Sequence, residues 1–196
     1  MSRSADSGGR VLSARQARKA AFVLAVFAGI VSSVSIYYGL LKTEPGTLFF
    51  WSADPWDNNG YFAKMRTGYR GEWLTTMLYT PERHDPVFVF PFHVLLGHIA
   101  GWYRDWLSGR SGQTPPVYQT MPQVYNAARF ILVVLFVMTV YWLAGLLTSR
   151  PGRRVWASAF AVAAGGWGGL PHPWGIAWRA SPITEASVLK SCILFP

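Results

Sequence analysis

Two long apolar runs, almost free of charge, decide what this chain can fold into. Residues 20–41 contain no charged side chain, and residues 127–148 contain one, Arg129. As helices, these runs would each extend about 33 Å, enough to cross the hydrocarbon core of a membrane. The first run is too long for a signal peptide, and no clear cleavage site follows it. Both runs therefore predict transmembrane helices, and Arg129 is expected to snorkel to the membrane surface.

A third apolar segment, residues 155–170, is shorter and rich in glycine. Small residues recur there at every fourth position, a spacing that lets helices pack closely in a membrane. We expect a third transmembrane helix here, although a loosely structured glycine-rich segment is the alternative interpretation. The small residues would form a docking stripe for membrane-protein partners, and they are Ala157, Ala161, Gly165 and Gly169.

The fourth apolar segment, residues 86–106, allows two interpretations. It contains Pro91 and ends in aromatic residues, so it could cross the membrane or lie in the interface as an amphipathic helix. His93 and His98 are five positions apart, which is a poor spacing for a shared metal on a helix. Packing in the interface is the expectation for both histidines.

The distribution of charge chooses between the possible topologies. The net charge is +9, and two short segments carry most of it: residues 1–19 have a net charge of +4 and residues 149–154 of +3. The 85 residues of segment 42–126 carry seven basic and seven acidic side chains. Basic segments beside membrane helices stay in the cytoplasm. An even number of crossings must therefore separate the two basic segments, which places segment 86–106 along the membrane surface.

The sequence thus predicts an all-α integral membrane protein with about three transmembrane helices and a long external loop that carries juxtamembrane or interfacial helices. Nucleic-acid binding is not expected, because the basic clusters flank apolar spans. The single cysteine, Cys192, excludes an intrachain disulfide. The predicted order is a cytoplasmic tail at 1–19, a span at 20–41, the external loop at 42–126, a span at 127–148, a cytoplasmic turn at 149–154, a span at 155–170 and a second external segment at 171–196.

The external loop is where chemistry is expected, because ordered loops of this length are usually functional. Residues 58–68 can form a short helix, in which Tyr61 and Met65 would share the apolar face and Lys64 and Arg66 would lie on other faces. The plainer interpretation is that Asp57 caps this helix or stabilises a turn, and that the two cations face solvent or lipid headgroups.

Three short motifs carry a resemblance to a family. An Asp-x-x-x-Tyr element, Asp57 to Tyr61, follows the first apolar run, the stretch His84-Asp85-Pro86 leads into an apolar segment, and Glu185 stands in the second external segment. In this order they resemble the N-terminal module of the GT-C superfamily of polyprenyl-phosphate-sugar-dependent glycosyltransferases, with the protein mannosyltransferases and the lipid A aminoarabinose transferases nearest in style. The family usually has a second acid after the first, where this chain has Asn58.

The resemblance implies specific roles. Asp57 and Glu185 would be catalytic, and Asp57 with Glu185 would also suit a divalent cation. The donor would be a polyprenyl-phosphate sugar in a bacterial cytoplasmic membrane, with the N-terminus inside. GT-C proteins have more crossings, so we expect this sequence to be an incomplete module; the alternative is a small, non-catalytic membrane subunit. The residues expected to bind the donor are Tyr61, Lys64, Arg66, Arg83 and His84.

Overall fold

The computed structural model describes residues 12–42, 44, 55–76 and 84–163, most of which lie in helices. Within these ranges no strand forms, and the single β contact is an antiparallel bridge between Thr75 and Val87. The predicted helical class is therefore confirmed. The five helices are α1 (Ala14–Lys42), α2 (Pro55–Tyr69), α3 (Pro91–Ser111), α4 (Val117–Leu147) and α5 (Pro151–Ala163).

Two of the described helices are long and apolar enough to cross a membrane: α1 over Ala14–Gly39, and α4 over its full length. They contain the two strongest predicted spans. α1 begins six residues earlier than predicted because Ser13 and Gln16 cap it reciprocally: the Gln16 N–H donates to the Ser13 hydroxyl oxygen, and the Ser13 N–H donates to the Gln16 amide oxygen. The third predicted span coincides with α5 as far as Ala163, and its remaining residues, 164–170, lie outside the described residues.

The chain divides into two compact units. The first, which we call the three-helix unit, comprises Met1–Ser32 and Phe130–Pro196 and therefore holds the first part of α1, the second part of α4, and α5. The second, which we call the hairpin unit, is Ser33–Arg129 and holds the end of α1, the helices α2 and α3, and the start of α4.

In the three-helix unit, α1 and α4 pack antiparallel. Ala17 and Ala21, near the start of α1, are buried with Tyr141 near the end of α4. Further along α1, Gly29 lies against the ring of Phe130, which comes earlier in α4. The buried positions of α1 in this unit are small residues at helical spacing, which allow the close approach of two helices. These small residues are Ala17, Ala21, Ala25, Ala28, Gly29 and Ser32.

In the hairpin unit, α2 and α3 pack against the first part of α4. Met65 of α2, Leu96 and Ala100 of α3, and Met121 and Tyr125 of α4 are buried in one cluster. The prediction that Met65 lies on an apolar face of a short helix is confirmed, since its side chain is fully buried. The segment predicted at 86–106 forms α3 five residues later, from Pro91 to Ser111.

Candidate functional site

The site is built on the crossing of α2 and α3, which glycine makes unusually close. A methyl group at Gly97 of α3 would collide with the backbone carbonyl of Met65, and one at Gly68 of α2 would collide with the carbonyl of Val94. Gly101, one turn after Gly97, faces the backbone of Tyr69. Because only hydrogen fits at Gly68 and Gly97, the two helix backbones touch, and the first half of α3 is fixed against α2.

The ammonium group of Lys64 lies among aromatic rings at this crossing. Its Nζ is 3.3 Å from the centre of the Phe90 ring and 5.2 Å from the centre of the Tyr61 ring. Tyr61 and Lys64 are three residues apart on α2, so both project from the same side of the helix. Ring faces attract cations, and partial burial strengthens this attraction. The structure therefore holds one positive charge at a defined place on α2.

Phe90 reaches Lys64 through a strained backbone. Its φ is 52° and its ψ is 51°, the left-handed region, which a bulky side chain seldom adopts. Phe90 directly precedes Pro91, the first residue of α3, and accepts hydrogen bonds from the N–H groups of His93 and Val94. Such strain costs about 1–3 kcal/mol and persists where the surroundings fix the conformation. Here it turns the chain into α3 beside the ammonium group.

His93 packs against the aromatic rings at this crossing. Its ring is buried and stacks on Tyr61 with 4.5 Å between ring centres, and it makes T-shaped contacts with the rings of Phe90 and Phe92. Burial, and secondarily the charge of Lys64, lower the pKa of His93 to about 4. The imidazole is therefore neutral near pH 7, and Lys64 carries the charge of the pair. Among the described residues, no group lies within hydrogen-bonding distance of the buried Nε2 atom of His93.

The structure brings together some of the predicted site residues. Tyr61 and Lys64 lie side by side on α2. Asp57 belongs to the first turn of α2, four residues before Tyr61, although its side chain lies outside the described part of the chain. Arg66 is exposed and, two positions after Lys64, projects from another side of α2, away from the rings around Lys64.

The remaining predicted residues lie elsewhere. His84 is half-buried in the extended segment that leads to the Thr75–Val87 bridge, and its Nδ1 is 2.9 Å from the carbonyl oxygen of Asp85. Arg83 and Glu185 lie outside the described residues. No group of three or more possible metal-ligating side chains occurs within the described ranges, so a divalent cation stays a prediction from the sequence.

Two features of the site were not anticipated. The contact of Phe90 with Lys64 could not be predicted from the sequence, because it depends on a backbone conformation that phenylalanine disfavours. The close packing at Gly97 and Gly101 could have been predicted, because the stretch Gly-His-Ile-Ala-Gly is a small-xxx-small motif like the small-residue stripe at 157–169. Both histidines pack against aromatic rings: His93 stacks on Tyr61, and His98 meets the ring of Trp73 at a tilt, with 4.2 Å between ring centres. Their place in a membrane interface stays a prediction.

Arg129 differs from expectation. The sequence predicts a side chain that reaches the membrane surface, but in the hairpin unit Arg129 is buried, and its guanidinium group donates to the hydroxyl oxygen of Ser33 at 3.1 Å. The reason is that α4 begins ten residues before the predicted span, so Arg129 is not in the first turn. Arg129 instead links α4 to the end of α1.

Comparison with known proteins finds no relative: no protein-family model, no curated protein and no solved structure matches the chain.

Proposed function

We propose that the chain is a module of a membrane glycosyltransferase of the GT-C kind, which transfers a sugar from a polyprenyl-phosphate donor at the outer face of a bacterial cytoplasmic membrane. The observation that supports this best is the position of Lys64. The positive charge of Lys64 lies on α2, which in the chain comes between the two long apolar helices α1 and α4. Lys64 is next to Tyr61 and two helical turns after Asp57. A lipid-linked phosphate requires a cation at the membrane surface, since its polyprenyl chain stays in the bilayer.

The proposed reaction assigns one role to each group. The Asp57 carboxylate accepts the proton of the acceptor hydroxyl as its oxygen attacks the anomeric carbon of the sugar. The bond between that carbon and the phosphate oxygen breaks, and polyprenyl phosphate leaves with the electron pair. The ammonium of Lys64 attracts the phosphate charge that develops. Tyr61 and the neutral His93 position Lys64 and add no competing charge.

The test is a transfer assay with the full-length protein in cell membranes and radiolabelled polyprenyl-phosphate mannose as the probe donor. We expect Asp57→Asn to lower kcat by at least about 100-fold, because a general base contributes that much or more. We expect Lys64→Gln chiefly to raise KM for the donor. The matched controls are Asp105→Asn and Arg70→Gln, which remove exposed charges from α3 and from the residue after α2.

Membrane insertion is checked by resistance to carbonate extraction. Full transfer by the Asp57→Asn protein would remove Asp57 from the mechanism. If the parent protein and all variants, including the controls, transfer sugar no faster than empty membranes do, the non-catalytic subunit becomes the better explanation.

A further inference from the structure

The described part of the three-helix unit contains basic side chains and no acidic ones. Its residues, 12–32 and 130–163, include six cations and neither aspartate nor glutamate. Neither α1 nor α5 has an acidic residue in its first turn. The six cations stand in two segments separated by more than 100 residues, and they are Arg15, Arg18, Lys19, Arg150, Arg153 and Arg154.

Packing brings the two segments to the same end of the unit. Ala17, between the basic residues of α1, is buried in a cluster with Tyr141 of α4, and Val155 of α5 packs against that cluster. Val155 directly follows Arg153 and Arg154. A contact between Ala17 and this cluster therefore places the first turns of α1 beside the first turns of α5. We call the six cations together the basic patch.

Most of the basic patch faces outward. Arg154 is half-buried, and its Nε donates to the carbonyl oxygen of Thr148 at 3.0 Å, near the end of α4. The other five side chains are exposed. Because α1 and α5 both begin here, the positive ends of two helix dipoles add to the charge. So many like charges repel one another unless an anion lies among them.

The surroundings of the basic patch favour a phospholipid as that anion. Large apolar side chains are exposed on the adjoining turns of α4 and α5: Trp156 and Phe160 are each more than 60% exposed, and Leu147 is 90% exposed. A phospholipid matches this arrangement, since its acyl chains cover apolar side chains while its phosphate meets the cations. A soluble anion would leave the apolar surface uncovered.

We propose that the basic patch is a single binding site for the headgroup of an anionic phospholipid, assembled from α1 and the α4–α5 turn. This rests on the membrane-spanning part of the proposed function and is independent of sugar transfer. In a single site, one headgroup contacts cations from both segments. Removal of a charge from either segment should therefore weaken the binding of the same lipid.

The experiment is a titration of the purified full-length protein in detergent with cardiolipin, followed by native mass spectrometry. Phosphatidylcholine and inorganic phosphate are the comparison ligands. We compare Arg18→Gln, Arg153→Gln and the double variant with the parent protein. Each single substitution should weaken the tightest-bound cardiolipin about fivefold, since each basic residue near a lipid surface contributes roughly that factor. The matched control is Arg70→Gln with Arg110→Gln, two exposed cations of the hairpin unit.

Two separate sites would behave differently, because each single variant would retain one cardiolipin with parental affinity, and this result would overturn the proposal. Equal weakening by the control pair, equal retention of phosphatidylcholine, or complete displacement by inorganic phosphate at matched concentration would also overturn it. Circular dichroism of every variant establishes that the helices are intact. The assay contains no sugar donor, so failure of the glycosyltransferase proposal leaves its outcome unchanged.

Discussion

The surroundings of His93 change its chemistry. An imidazole with an ordinary pKa near 6.5 would be partly charged in the acidic part of the physiological range, but burial and the neighbouring Lys64 lower its pKa to about 4. The stack on Tyr61 and the fixed position of Lys64 both depend on a neutral His93, because a second cation at this place would repel the first.

This makes stability depend on pH in a defined direction. Between about pH 6.5 and 4 the unfolded chain binds a proton at His93 and the folded chain does not. The contribution of His93 to the free energy of unfolding is therefore fully present above about pH 6.5 and is lost as the pH falls from 6.5 to 4. We expect a loss of about 1–2 kcal/mol at pH 5. In His93→Phe, which keeps a ring and removes the titration, thermal unfolding in detergent should depend less on pH. An identical pH dependence in both proteins would contradict the neutral, buried state of His93.

At the scale of elements, the close crossing of α2 and α3 decides the shape of the site. The ring cluster around Lys64 includes residues from α2, from the segment before α3 and from α3 itself, so it exists only while these two helices touch. The contact is between backbones at Gly68 and Gly97, where no side chain can yield to relieve a collision. An added methyl group must therefore push the helices apart.

We expect Gly97→Ala to destabilise the hairpin unit by about 1–3 kcal/mol or more, the usual cost of overpacking. Gly109 is the matched control, because it lies on the same helix and a methyl group there meets nothing within 4 Å. Gly109→Ala should be neutral or stabilising by up to about 1 kcal/mol, as alanine is the better helix former. The measurement is the thermal midpoint in detergent, and equal midpoints for the two variants would contradict direct backbone contact between α2 and α3.

At the scale of the whole molecule, the main expectation is the topology of insertion. The antiparallel packing of α1 and α4 in the three-helix unit agrees with the charge argument, since it brings both parts of the basic patch to one end of that unit. If that end is cytoplasmic, the α4–α5 turn is inside, and the C-terminal end of α3, only five residues before α4, is outside.

Single cysteines test this in a Cys192→Ser background. Ser111 ends α3 and Ser149 lies between α4 and α5, and both are exposed. In intact cells a membrane-impermeant maleimide should label Ser111→Cys, whereas Ser149→Cys should react only after permeabilisation. The reverse pattern would invert the topology. Labelling of both from outside would mean that α4 does not cross the membrane.

The sequence alone determined which segments are helical and apolar. Two runs of more than 20 residues with almost no charge permit few other structures, because backbone groups in lipid must bond within their own segment. The spacing of Tyr61 and Met65 likewise indicated the buried side of α2, since a helical period is a local property. The charge counts of residues 1–19 and 149–154 predict that both segments lie on one side of the membrane, because basic segments beside membrane helices stay in the cytoplasm.

Tertiary structure decided which of these residues meet. The ring of Phe90 reaches Lys64 only because a strained backbone directs it there, and Gly97 matters only because the backbone carbonyl of Met65 lies opposite. Arg129, predicted to reach the membrane surface, is buried against Ser33, and the two parts of the basic patch converge through contacts of Ala17 and Val155. Such pairings depend on steric fit between residues far apart in the chain, which local periodicity and composition do not encode.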